Sequence, residues 1–148
     1  MSHLAPLKPV SQTPVPSPMR RSRLGAYLLL MRPMDWSKNV LVLAALVFSQ
    51  NLLHADKWLA ALLAFAAFCL LASGFYAFND AVDAASDRRH PMKRHRPVAA
   101  GIIPPGRAMA FGVGCILAGI AIGFAINLLT GAIGLAYIGV QTAYNVRL

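Results

Sequence analysis

The sequence predicts an all-α membrane protein of about four transmembrane helices, and three observations carry that prediction. First, residues 58–78 and 108–126 contain no Asp, Glu, Lys or Arg. Second, only 13% of the 148 residues are charged while 57% are hydrophobic, whereas a soluble domain carries about a quarter charged residues. Third, the Lys and Arg that give a net charge of +9 gather at the ends of the apolar runs. That placement is the signature of membrane topology and lipid contact, so no nucleic-acid partner is expected.

Along the chain, residues 1–23 are rich in Pro and Ser and then in Arg, with no apolar period. They read as a disordered basic tail. The short run 24–31 follows three Arg residues but lacks a small-residue cleavage site, so an interfacial helix fits better than a cleaved signal. The first span covers about residues 37–54, and reaches bilayer length only if Trp36 and Asn39 belong to its first turn. The second covers 58–78. The third covers 108–126 and holds Gly119 and Gly123 at GxxxG spacing, which permits close helix approach; glycine is also simply frequent in membrane helices. A tight turn near residues 127–131 leads into the fourth span, about 130–146. Cys69 and Cys115 lie inside apolar runs without metal-ligand spacing, and read as small buried residues.

Basic residues orient the bundle. Six Lys and Arg lie up to the start of the apolar run at Val40, the last of them Lys38, and six lie from Arg88 to Arg107, whereas the opposite connections contain only Lys57. The positive-inside rule then places the N-terminus and the Asp-rich segment 79–107 in the cytoplasm.

That segment is where the chemistry concentrates. Three of the five acidic residues, Asp80, Asp83 and Asp87, occur there together with Arg88, Arg89, Lys93, Arg94 and Arg96. At 100° per residue the three Asp fall within about 60° of arc, with Asn79 at its edge. Three carboxylates on one helical face repel one another. Either a cation sits among them or the adjoining Arg residues neutralise them. Oxygen ligands without Cys suit a hard cation such as Mg²⁺, which takes one or two carboxylates and completes its shell with water and phosphate oxygens. Basic side chains next to such an ion suit a diphosphate. The plainer alternative is a solvated basic loop. His90 and His95 read as solvated and receive no catalytic role.

The stretch Asn79-Asp80-x-x-Asp83-x-x-x-Asp87 resembles the first signature of the UbiA-type intramembrane prenyltransferases, whose helical membrane fold carries two Asp-rich motifs around a central cavity. The continuation Asp87-Arg88-x-His90-Pro91-x-Lys93-x-x-Arg96-Pro97 resembles the phosphoribosyl-transferring branch, the decaprenyl-phosphate phosphoribosyltransferases. So does the earlier Arg32-Pro33-x-x-Trp36-x-Lys38-Asn39.

The resemblance implies Mg²⁺-dependent transfer of 5-phosphoribose from phosphoribosyl diphosphate to a polyprenyl phosphate, in the pathway supplying arabinose to the cell envelope. Asp80 and Asp83 would be catalytic, holding the metal together with Asn79 and Asp87. Arg88, Lys93 and Arg96 would bind donor phosphates, and Lys38 and Asn39 would meet the lipid. Two alternatives stand beside it: a prenyl diphosphate-dependent transferase with an aromatic acceptor, and a non-catalytic membrane subunit. Family members also carry a second Asp motif, and this sequence has no Asp after Asp87. Residues 24–148 therefore resemble an N-terminal half, inactive alone and completed by a C-terminal half or by a second copy. Arg147 is either a phosphate ligand of the complete fold or a topology anchor.

Overall fold

The computed structural model describes residues 22–48 and 53–147. Among them every regular element is helical. Most of the tail, residues 1–21, and residues 49–52 of the first expected span lie outside the described residues.

Helix α1, Arg23–Met31, starts at Ser22, whose hydroxyl accepts from the Gly25 amide at 3.1 Å. This cap satisfies one donor that the first turn leaves without a helical partner. Ala26 and Leu30, one turn apart, are fully buried, while Leu24, Leu28 and Leu29 remain exposed. The helix ends at Arg32, whose φ of 52° is the only positive value at a non-glycine position among the described residues.

A 3₁₀ segment, Pro33–Val40, and helix α2, Leu41–Phe48, follow. The described part of the first expected span is therefore two short pieces and not one continuous α-helix. Its polar residues explain the tighter winding. Ser37 donates back to the Met34 carbonyl at 3.1 Å and Lys38 reaches Asp35 at 3.3 Å; both contacts join residues three apart, the spacing that a 3₁₀ turn brings into line.

Helix α3, Ala55–Val82, is the axis of the fold. Its 28 residues extend about 42 Å at 1.5 Å per residue, beyond the roughly 30 Å hydrocarbon core, so its last turns can carry Asn79 and Asp80 clear of the apolar layer. Helix α5, Pro105–Ile126, lies along it on a stripe of Ala108, Gly112, Cys115, Gly119 and Gly123, all buried. The approach is close enough to exclude side chains: a Cβ on Gly74 would stand 2.6 Å from the Gly112 carbonyl oxygen, and one on Gly112 would stand 2.7 Å from that of Gly74. The predicted GxxxG pair serves two neighbours. Gly119 faces α3 at Ala67, and Gly123 lies against Gly131 of the next helix.

Asn127 alone joins α5 to helix α6, Leu128–Arg147. Its side-chain oxygen accepts from the Thr130 amide at 2.8 Å and from the Thr130 hydroxyl at 3.0 Å, closing a helical hairpin where the sequence predicts a tight turn. Among the described residues two helices, α3 and α5, are long and apolar enough to cross a membrane. They match the second and third expected spans. α6, at 20 residues, begins two residues before and ends one residue after the expected fourth span 130–146, and Gln141, Thr142, Tyr144 and Asn145 make its last turns polar.

Between α3 and α5 lie the single turn α4, Ala84–Asp87, and a 3₁₀ turn, Lys93–His95. Residues 97–99 and Ile103 of this connection are folded inward. Val98 and Ile103 are buried with Ala26, Leu30, Ala77, Ala81, Ala84 and Ala108, and Tyr27 and Phe111 pack against that cluster. The amides of Ile102 and Ile103 both donate to the Pro97 carbonyl, at 2.9 and 3.2 Å. The turn is completed at Gly101, whose φ of 76° suits a residue without Cβ. One turn before Ala77 on α3, fully buried Ser73 accepts from the Trp36 indole at 3.0 Å and donates to the Met31 carbonyl at 2.8 Å. This staple fixes the 3₁₀ segment against the middle of α3.

Candidate active site

The Asp motif begins on the last turn of α3 and continues through α4. The backbone stays close to helical across the junction, since the Asp83 amide donates to the Asn79 carbonyl at 2.8 Å and the Asp87 amide to the Asp83 carbonyl at 2.9 Å. Even so, the three carboxylates do not share one face. Asp80 and Asp87 are each 2% exposed, whereas Asp83 is exposed and lines a cavity with Asn79. Helical spacing alone does not account for the split, because Asp83 stands four positions from Asp87 as it does from Asn79, about 40° in either direction. Packing does: Arg96 lies against Asp80 and Asp87 and leaves Asp83 exposed.

The buried pair is neutralised by arginine. Arg32 Nη2 lies 2.7 Å from Asp80 Oδ1, and Arg96 Nη1 bridges Asp80 Oδ1 at 3.2 Å and Asp87 Oδ2 at 2.8 Å. Lys93 Nζ adds a longer contact to Asp87 at 3.9 Å. The Arg32 guanidinium also stands 4.7 Å over the Tyr76 ring, a favourable cation–π geometry. These contacts offset the left-handed backbone at Arg32, which costs an L-residue about 1–2 kcal/mol. For Asp80 and Asp87, neutralisation by Arg describes the arrangement among the described residues.

The second face opens into a cavity of about 700 Å³ between α3, α5 and α6. Phe75, Phe78, Val113, Ile116 and Ile138 make its apolar wall, and Asn79, Asp83, Lys93 and Asn145 supply polar groups. Asn145 Nδ2 donates to Asn79 Oδ1 at 2.6 Å, tying α6 to the motif. Among the described residues no group of three or more His, Cys, Asp or Glu stands ready to hold a metal. An amide oxygen with one carboxylate nevertheless fits a hard divalent ion that draws its remaining ligands from water and phosphate.

Residues 39–148 match the UbiA prenyltransferase family. The chain belongs to that family. It is 40% identical over 126 residues to a decaprenyl-phosphate phosphoribosyltransferase of Corynebacterium glutamicum, an alignment covering 77% of this chain and 36% of the relative. A protein of the same description from Mycolicibacterium smegmatis is 38% identical over 128 residues, covering 84% of this chain and 40% of its own length. A protoheme IX farnesyltransferase of Halobacterium salinarum is 30% identical over 125 residues, covering 82% of this chain and 28% of the relative. The chain thus spans about two fifths of the length of the phosphoribosyltransferases it matches. UbiA transferases are integral membrane proteins and generally depend on a divalent metal.

Within this UbiA-family chain the other expected site residues are dispersed. Arg88 Nε donates to the Ala99 carbonyl at 3.2 Å and so holds the folded connection. Lys38 is exposed and paired with Asp35. Asn39 Nδ2 donates to Cys69 Sγ at 3.5 Å. None of these three is among the cavity-lining residues. His90 and His95 are exposed, as the sequence suggests. Sequence reasoning did not identify Arg32 or Asn145 as site residues. Arg32 meets a carboxylate 48 positions away and Asn145 an amide 66 positions away, separations at which local periodicity carries no signal.

Proposed function

We propose that this chain supplies the N-terminal part of a transferase that moves 5-phosphoribose from phosphoribosyl diphosphate to a polyprenyl phosphate at the cytoplasmic face of a bacterial plasma membrane. The observation that carries this reading is the cavity itself, where Asn79, Asp83 and Lys93 border an apolar wall. A lipid phosphate needs such a junction of charge and hydrocarbon surface, and so does a diphosphate that must be held beside it. The names of the relatives point to the same pair of substrates.

In this reading Asn79 and Asp83 hold Mg²⁺, which when bound neutralises diphosphate charge and stabilises the leaving group. Lys93 contributes a positive charge for phosphate oxygens. Asp80, Asp87, Arg32 and Arg96 keep the motif and the basic connection in register. During transfer the bond between the anomeric carbon and the diphosphate oxygen breaks, and a bond to a lipid phosphate oxygen forms. The diphosphate departs with its bonding electron pair. The attacking phosphate is already anionic near neutral pH, so no side chain has to remove a proton from it.

The test is equilibrium binding of labelled phosphoribosyl diphosphate to the chain in lipid nanodiscs, followed by a search for label in the lipid extract when the discs contain decaprenyl phosphate. Binding should require Mg²⁺ and weaken in Asp83→Asn. Tighter binding of farnesyl diphosphate would turn the assignment to prenyl transfer. Absence of binding to either diphosphate would leave a non-catalytic membrane subunit.

A further inference from the structure

The contact between Asn145 and Asn79 has a role that the substrate assignment leaves open. Asn79 Oδ1 accepts from Asn145 Nδ2 at 2.6 Å, and both side chains line the cavity with Asp83. A free asparagine amide can rotate to present either its oxygen or its NH₂ group. Donation from Asn145 removes that choice, because only the oxygen can accept. The Asn79 oxygen is then held toward α6, inside the cavity, and one of its two lone pairs remains available. Asn79 and Asp83 stand four apart on one helical face, so fixing this amide gives the cavity two oxygen acceptors side by side. Asn145 is exposed and Asn79 only half-buried, so their hydrogen bond contributes little to folding. Asn145 also lies 18 residues beyond the Asn127 turn, about 27 Å along the helix at 1.5 Å per residue. The contact therefore joins the end of α6 opposite the Asn127 turn to the Asp motif.

We propose that Asn145 is a positioning residue that locks the Asn79 amide oxygen into the cavity as a ligand for a cation-bound diphosphate. This rests on the assignment of the cavity as the diphosphate site, and the experiment separates the two. The probe is inorganic diphosphate with Mg²⁺, titrated into the chain in nanodiscs. Relative to wild type, Asn145→Leu should weaken binding about tenfold or more, the usual effect of losing a partner that orients a metal ligand. Helical content and unfolding midpoint should be unchanged. Asn145→Gln, which keeps the donor, should recover most of the affinity. In an Asn79→Ala background Asn145→Leu should have no further effect.

If Asp83→Asn binds as wild type does, the diphosphate assignment and this inference both fail. If Asp83→Asn weakens binding and Asn145→Leu does not, the assignment stands and the positioning role is overturned. Equal losses from Asn145→Leu with and without Asn79 would also overturn it, by showing that the effect runs through α6 packing. Should Asn145→Leu unfold, Asn145→Ala in both Asn79 backgrounds decides by the same criteria.

Discussion

Replacing Arg96 with Met tests whether Asp80 and Asp87 hold the fold while Asp83 serves the cavity. Arg96 is the shared cation of the buried pair, at 2.8 Å from Asp87 and 3.2 Å from Asp80. Its loss leaves Asp80 with Arg32, but leaves Asp87 with only the Lys93 contact at 3.9 Å. Removing one partner of a buried ion pair costs about 3–5 kcal/mol, because the other charge stays desolvated. Arg96 is itself 28% exposed, and water entering at its position relieves part of that cost, so about 3 kcal/mol is expected. Arg32→Met should cost less, about 1.5–2 kcal/mol, since it removes one charge-assisted hydrogen bond while Asp80 retains Arg96. Adding Asp87→Asn to Arg96→Met should restore part of the stability by removing the stranded charge. Asp83→Asn, on the exposed face, should stay within about 0.5 kcal/mol of wild type. The assay is unfolding in mixed micelles of rising denaturing-detergent fraction, followed by far-UV circular dichroism. An Arg96→Met protein as stable as wild type, with Asp83→Asn the more damaged, would refute the division between structural and cavity carboxylates.

Two further outcomes follow from the packing. Gly112→Ala places a methyl about where the Gly74 carbonyl oxygen stands 2.7 Å away, so α3 and α5 must separate. A loss of about 1–3 kcal/mol is expected from such overpacking, read in the same unfolding assay. Ser73→Ala deprives the Trp36 indole of its acceptor and the Met31 carbonyl of a donor in a fully buried place. It should cost about 1–3 kcal/mol and shift Trp36 fluorescence, which is separated from that of Trp58 by comparison with a Trp58→Phe background.

Much of this architecture is legible in the sequence because its determinants are local. α3 and α5 follow from unbroken apolar runs, and the Asn127 turn from a residue suited to capping placed between two apolar runs. The first span is the exception, since winding there depends on side-chain contacts three residues apart around Ser37 and Lys38. The connection after Asp87 is also more ordered than its basic composition suggests. Val98 and Ile103 belong to a short apolar stretch without clear periodicity, and their burial depends on α1 arriving from elsewhere. The candidate site divides along the same line. Asn79, Asp83 and Lys93 are adjacent in sequence and meet at the cavity, whereas the separation of Asp80 and Asp87 from Asp83 depends on which side of α3 the Arg96 segment packs.

The single-residue join at Asn127 bears on how the chain enters a bilayer during synthesis. From Ala108 through Val146 there is no Asp, Glu, Lys, Arg or His, and the turn amide that would otherwise need water is occupied by the Asn127 side chain. The α5–α6 hairpin can cross tip first with little polar cost. The start of α3, at the corresponding end of its own helix, carries Asp56 and Lys57, which pair at 3.3 Å. Each charge costs about 2.5–3.5 kcal/mol at the bilayer centre when unpaired. In the proposed orientation that end must cross as well, at a greater polar cost than the uncharged hairpin, and the mutual ion pair of Asp56 and Lys57 reduces that cost.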